Sequence, residues 1–161
     1  YEDRELEFDF IGIDCALVNA LRRVLLSAVP SMAIEKVLMF NNTSIVQDEV
    51  LAHRLGLIPL KADPRMFEYP GSLDDLSGTD SLMFELKVKC TKRPGVRPDT
   101  TDPEQLYLHH QVLSRDIKWI PRDEQQRSLY TPEKVGPIDG DILIAKLRPG
   151  HEIDCKLVAV K

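Results

Sequence analysis

No stretch of this sequence comes near the ~18 consecutive apolar residues of a membrane-spanning helix, so neither a transmembrane segment nor a membrane partner is expected. Cysteine is scarce. The three present, Cys15, Cys90 and Cys155, lie far apart, which argues against a disulfide framework or a Cys-x-x-Cys metal knuckle and suits a reducing compartment. Basic charge is short too. Lys and Arg number 21 against 26 Asp and Glu, a net charge of −5, so the footprint of a direct nucleic-acid binder is missing. Glycine occurs only eight times, scattered through turns, and builds no phosphate-cradling loop. The opening YEDRELEF has no basic start, apolar middle or small-residue cleavage site, so it does not read as a signal peptide. Its first residue, Tyr1, suggests a piece of something longer.

What is present is the balance of a globular protein with a real core: 161 residues, 43% hydrophobic and 29% charged. RELEFDFIGID alternates Leu6, Phe8 and Phe10 against Glu5, Glu7 and Asp9, the pattern of a strand with one buried face. Asp14 is a good N-cap for a helix over about Cys15 to Ala28, which Pro30 ends. SMAIEKVLMF reads as a strand apolar on both faces, hence covered on two sides. Ser44 with Gln47 predicts a capping box for a second helix. In that helix Asp48 and Glu49 suit the N-terminal end of the dipole, and His53 and Arg54 the last turn. Gly56 stands as the C′ residue that ends it.

LIPLKADP leaves as a short extended piece, and Ala62 to Thr79 then lose all periodicity, which places a boundary at about residue 63. Beyond it LMFELKVKC is a clear strand that buries Leu82, Phe84, Leu86, Val88 and Cys90. TKRPGVRPDTTDPEQ and DEQQRSLYTPEKVGPIDG read as loops, with one bent strand or two short ones between them. DILIAKL and EIDCKLVAVK, joined by RPGH, read as a hairpin. The order β-α-β-α-β followed by mainly β predicts an α+β fold with two parts, 1–62 and 63–161.

Nothing in this pattern assembles a catalytic centre. His151 opens HEID rather than H-E-x-x-H, and the serines Ser27, Ser31 and Ser44 have no G-x-S-x-G setting. His109 and His110, adjacent in a strand pattern, are expected on opposite faces. Asp74, Asp75 and Asp80 read as a solvated acidic tip, and Cys15 as a small buried hydrophobe. Glu49 and His53 are helix neighbours four residues apart; a small enzyme or ligand-binding domain built on them is the alternative reading. No catalytic residue, metal or cofactor is expected.

The first helix raises a sharper question. At about 100° per residue, Leu17, Leu21, Val24, Leu25 and Ala28 form one stripe, expected to pack on the strands. Asn19, Arg22 and Arg23 occupy the other side, with Leu26 between the two arginines. A surface helix with one stray leucine and a second contact face both fit that arrangement.

NALRRVLLS, the strand MAIEKV and then NNTSIVQDEVLAHRLGLIPL closely resemble the α-like subunits of multisubunit RNA polymerases. The stretch from Val37 to Tyr69 and the later DILIAKLRPGHEID look most like the type shared by RNA polymerases I and III. The resemblance spans essentially the whole chain. It implies a split α-like dimerisation module, here residues 1–62, with an inserted, mainly antiparallel β module at 63–161, the chain stopping before the family's C-terminal return. It implies a non-catalytic assembly subunit of the nucleus, nucleolus included, that heterodimerises with a small α-like subunit. Phe10, Leu17, Leu21, Val24, Leu25 and Leu26 would then serve the dimer contact. Arg22 and Arg23 would meet the second-largest subunit, and the helix carrying Asp48, Glu49, His53 and Arg54 would either make further contacts with polymerase I and III subunits or serve a structural role in closing the module. A homodimeric module like the bacterial relative is the near alternative. Some relatives carry metal on clustered cysteines in the insert; Cys90 and Cys155 alone are too few for that.

Overall fold

A computed structural model describes residues 6–73, 76–95, 102–131 and 134–161, so Asp74, Asp75 and the centre of the loop after Cys90 lie outside the described residues. The chain divides into two compact units, Tyr1–Pro30 and Ser31–Lys161.

In the first unit, helix α1 spans Cys15–Ser27. The Asp14 carboxylate caps it by accepting from the Ala16 amide at 2.7 Å, as the sequence predicts. The expected strand over Leu6 to Phe10 does not form; residues 6–14 hold no regular structure. Phe8 and Phe10 keep the alternation, their ring centroids 6.1 Å apart, but neither belongs to a strand ladder among the described residues.

The second unit is built on one four-stranded antiparallel sheet. Its strands are β1 (Ala33–Asn42), β3 (Ser81–Lys89), β7 (Ile117–Ile120) and β10 (Glu152–Val160), in the order β1-β10-β3-β7. Helix α2 (Asp48–Gly56) and the short strand β2 (Leu60–Lys61) lie between β1 and β3. Between β3 and β7 come β4 (Thr91–Lys92), the single turn α3 (Pro103–Leu106), β5 (Tyr107–Leu108) and β6 (Gln111–Leu113). Helix α4 (Glu124–Leu129), β8 (Gly136–Pro137) and β9 (Leu143–Lys146) precede β10. Helices beside an antiparallel sheet make this an α+β fold. The contact division at Pro30 differs from the sequence boundary at 63, because β1 shares its sheet with β10 and β3.

Period-two patterning decides which face is the core. Val88, Leu86 and Phe84 sit opposite Ile153, Cys155 and Leu157, and all six are buried. Leu51 and Leu55 of α2 are wholly buried in the same cluster. On the other face Lys87 pairs with Asp154, and Lys89 reaches Glu152 at 3.3 Å.

Four sequence expectations are corrected by this unit. Ser44 is not a helix cap: its hydroxyl donates to Asn42 Oδ1 at 2.7 Å and accepts from the Val46 amide, making a tight turn before α2. Gly56 ends α2 from inside, followed by Leu57 in an ordinary right-handed conformation. A Cβ there would lie 3.1 Å from the Ile34 carbonyl, so the glycine serves the close approach of α2 to β1. The third polar loop holds α4, capped by Asp123 and anchored by the buried Gln126. Finally β9 and β10 are no hairpin. β9 pairs with β6, while the Cys90 amide bonds the His151 carbonyl and the Gly150 amide bonds the Cys90 carbonyl, starting β10 back along β3.

Candidate subunit interface

Helix α1 has no buried residue. Leu17, Leu21, Val24 and Leu25, spaced i, i+4, i+7 and i+8, are 44–61% exposed, and Leu26 is 77% exposed. The stripe, expected to be packed, is thus exposed, which corrects that expectation. Phe10, Ile11 and Ile13 add further exposed apolar surface just before it. Burying a side chain of this size is worth roughly 1.5–3 kcal/mol, so such a face gains several-fold from a partner.

The two arginines are not equivalent. Arg22 is held by its own helix, with Nε and a terminal nitrogen donating to Asn19 Oδ1 at 3.2 and 2.8 Å. The Arg23 guanidinium has no bonded partner among the described residues; the Ser27 hydroxyl donates to its backbone carbonyl at 2.7 Å. Arg23 is the freer fork for an acidic partner.

The second-helix candidates divide in the same way. Asp48 accepts from Asn42 Nδ2 at 2.7 Å, and Arg54 donates to the Leu143 carbonyl at 2.8 Å, so both bind α2 into its own unit. Glu49 and His53 are exposed and share no hydrogen bond or ion pair. Nothing in that geometry joins them as an acid–base pair.

Sequence reasoning missed part of the exposed surface in the second unit. Leu38 and Phe40 of β1 are exposed, where cover on both faces was expected; β1 is an edge strand, and Lys156 Nζ lies 5.9 Å from the Phe40 ring. Ile45 and Leu57 flank α2 and are also exposed. The signal was present in the apolar content of both faces of β1, but sequence does not say whether cover comes from the same chain. His109 and His110 lie between β5 and β6 rather than in a strand, because the chain changes neighbours there.

The cysteines separate by burial. Cys15 is exposed, against expectation, while Cys90 and Cys155 are fully buried. Burial raises the Cys90 thiol and, with the nearby Asp154 charge, pushes Cys155 up to about 12. Among the described residues no three His, Cys, Asp or Glu are grouped to hold a metal, and no helix is long and apolar enough to cross a membrane.

Comparison with known proteins gives this geometry a context. The model of the RNA polymerase Rpb3/Rpb11 dimerisation domain matches residues 7–147. The human DNA-directed RNA polymerases I and III subunit RPAC1 is 53% identical over 162 residues, which cover 99% of this chain and 46% of the human protein. The Saccharomyces cerevisiae subunit of the same description is 48% identical over 157 residues, 95% of this chain and 47% of the yeast one. The DNA-directed RNA polymerase subunit Rpo3 of Methanosphaera stadtmanae is 32% identical over 160 residues, with 98% and 50% covered. The chain thus spans about half the length of these relatives.

Proposed function

The chain belongs to the RNA polymerase Rpb3/Rpb11 dimerisation-domain family, and from that premise we propose that it is a non-catalytic assembly subunit of the nuclear DNA-directed RNA polymerases I and III, present in nucleus and nucleolus. It heterodimerises with a small α-like subunit, and the pair is the platform on which the second-largest and the other subunits assemble. The observation that carries this reading is α1, a thirteen-residue helix with four large apolar side chains in one stripe and none of them buried. Such a surface, flanked by arginines, has the make-up of an interface core and rim.

In this reading Phe10, Leu17, Leu21, Val24, Leu25 and Leu26 supply the dimer contact, and Arg22 and Arg23, chiefly Arg23, dock on carboxylates of the second-largest subunit. Residues 1–62 are the N-terminal part of the family's dimerisation module, and 63–161 its inserted β module. Glu49 and His53 contribute side-chain contacts with other subunits. The enzyme alternative built on that pair has no observation in its favour.

Co-expression with a small α-like polymerase subunit, followed by light scattering on the eluted peak, tests the proposal. A stable one-to-one complex is expected, with the chain alone self-associating through its apolar face. A monomer indifferent to that partner overturns it.

A further inference from the structure

Two hydrogen bonds on the polar side of α1 give one of its arginines a fixed direction. Asn19 and Arg22 are three residues apart, so their side chains meet on the same side of the helix. Asn19 Oδ1 accepts from Arg22 Nε at 3.2 Å and from Arg22 Nη2 at 2.8 Å. A guanidinium carries five N–H groups in one plane, and these two bonds use the pair along its side. The pair at its end, one N–H of Nη1 and one of Nη2, stays open. Among the described residues the Arg22 guanidinium makes no other hydrogen bond or ion pair.

Both side chains are exposed, so the packing of the chain does not call for this contact. Helix stability does not call for it either, since asparagine is a poorer helix former than alanine. The sequence of α1, CALVNALRRVLLS, holds two arginines and no Asp or Glu, so no carboxylate of the helix competes for the open end. An arginine loses rotamer freedom when a partner immobilises it, and that loss weakens binding. Asn19 immobilises Arg22 beforehand, whereas the Arg23 guanidinium is held by nothing among the described residues. A neutral amide also leaves the positive charge of Arg22 uncancelled, which an acid in its place would not.

We infer, resting on the assembly role proposed for this chain, that Asn19 is a positioning residue for the contact with the second-largest subunit. It holds Arg22 so that the open end of the guanidinium receives one carboxylate of that subunit through two parallel bonds. The two arginines then have different tasks. Arg23, unrestrained, supplies charge that draws an acidic surface in, and Arg22 supplies the geometry that fixes how the surface sits. Asn19 touches no partner itself and acts only through Arg22.

The heterodimer of the full chain with the small α-like subunit, immobilised, and the second-largest subunit in solution provide the test, read as association and dissociation rates. Asn19→Ala should dissociate about three- to tenfold faster at an unchanged association rate. Arg22→Lys should dissociate at least as fast, because a point charge cannot bond bidentately. Asn19→Ala added to Arg22→Lys should change nothing further, a result that a merely structural asparagine would not produce. Heterodimer stoichiometry and helix content by circular dichroism should match the wild type in every variant. Wild-type dissociation in Asn19→Ala, or an equal effect of it with Arg22→Lys already in place, overturns the inference and leaves the assembly role standing. Loss of the heterodimer in Asn19→Ala overturns it too, by placing the pair in the dimer contact. A wild-type heterodimer that does not capture the second-largest subunit overturns both.

Discussion

Single residues carry the chemistry of this chain through burial rather than reactivity, and Cys155 is the clearest instance. It sits in the sheet core opposite Leu86, with its thiol pushed up to about 12 against a usual value of 9.0. A raised thiol pKa means that folding favours the protonated form. The associated stability is therefore complete below pH 9 and is lost as pH rises from 9 towards 12. For one group the limiting slope is about 1.4 kcal/mol per pH unit. Burial raises Cys90 and Tyr130 as well, so the cleanest window is pH 8 to 10, where Tyr130 contributes little. Urea unfolding across that window should show stability falling with pH. Cys155→Ala should start less stable, because it leaves a void, but fall less steeply. An identical slope in the variant would assign the loss to other groups.

At the scale of elements, Gln126 shows what a polar sequence conceals. Its side-chain nitrogen donates to the Gly78 and Ser81 carbonyls at 2.7 and 2.8 Å, and its oxygen accepts from the Arg122 amide at 3.1 Å. Gln126→Ala orphans those three backbone groups and should cost about 1–3 kcal/mol. Glu124→Ala, two residues earlier on the exposed side, should stay within about 0.5 kcal/mol. Equal midpoints for the two in chemical denaturation would remove Gln126 as the anchor of α4. The same residue explains why α4 was illegible: Asp123 and Gln126 carry capping chemistry, but a helix that buries a glutamine shows no apolar period. α1, α2 and β3 were legible because their signals are local, a cap, a dipole pattern or an alternation. The partners of β9 and β10 were not, since pairing across a sheet is set by contacts distant in sequence. Residues 6–10 show the converse, a strand pattern with no strand. The stripe of Leu17, Leu21, Val24 and Leu25 was fully legible, but periodicity tells which side is apolar and never whose atoms cover it.

For the molecule as a whole, the contrast between its two units is the main physical fact. Ser31–Lys161 closes a core around paired strands, whereas residues 6–30 contain no buried side chain. A substitution on α1 should therefore change association and leave the folding of the sheet unit alone. Replacing both Leu21 and Leu25 by Glu removes two apolar anchors and sets carboxylates in their place. A hot-spot residue is worth about 2 kcal/mol or more, a ~30-fold change in affinity, so the double variant should lose the small α-like partner outright. Its thermal transition should match that of the wild-type chain. Arg23→Glu makes a different demand, because it reverses charge beside the stripe while keeping every leucine. It should co-purify with the small partner at one-to-one and fail to capture the second-largest subunit, since its carboxylate would face the acidic groups proposed there. Equal loss of both partners would instead make Arg23 part of the dimer contact. Retention of both would leave the arginine a solvated charge and move the large-subunit contact to other residues, with Phe40 and Leu57 the first to vary.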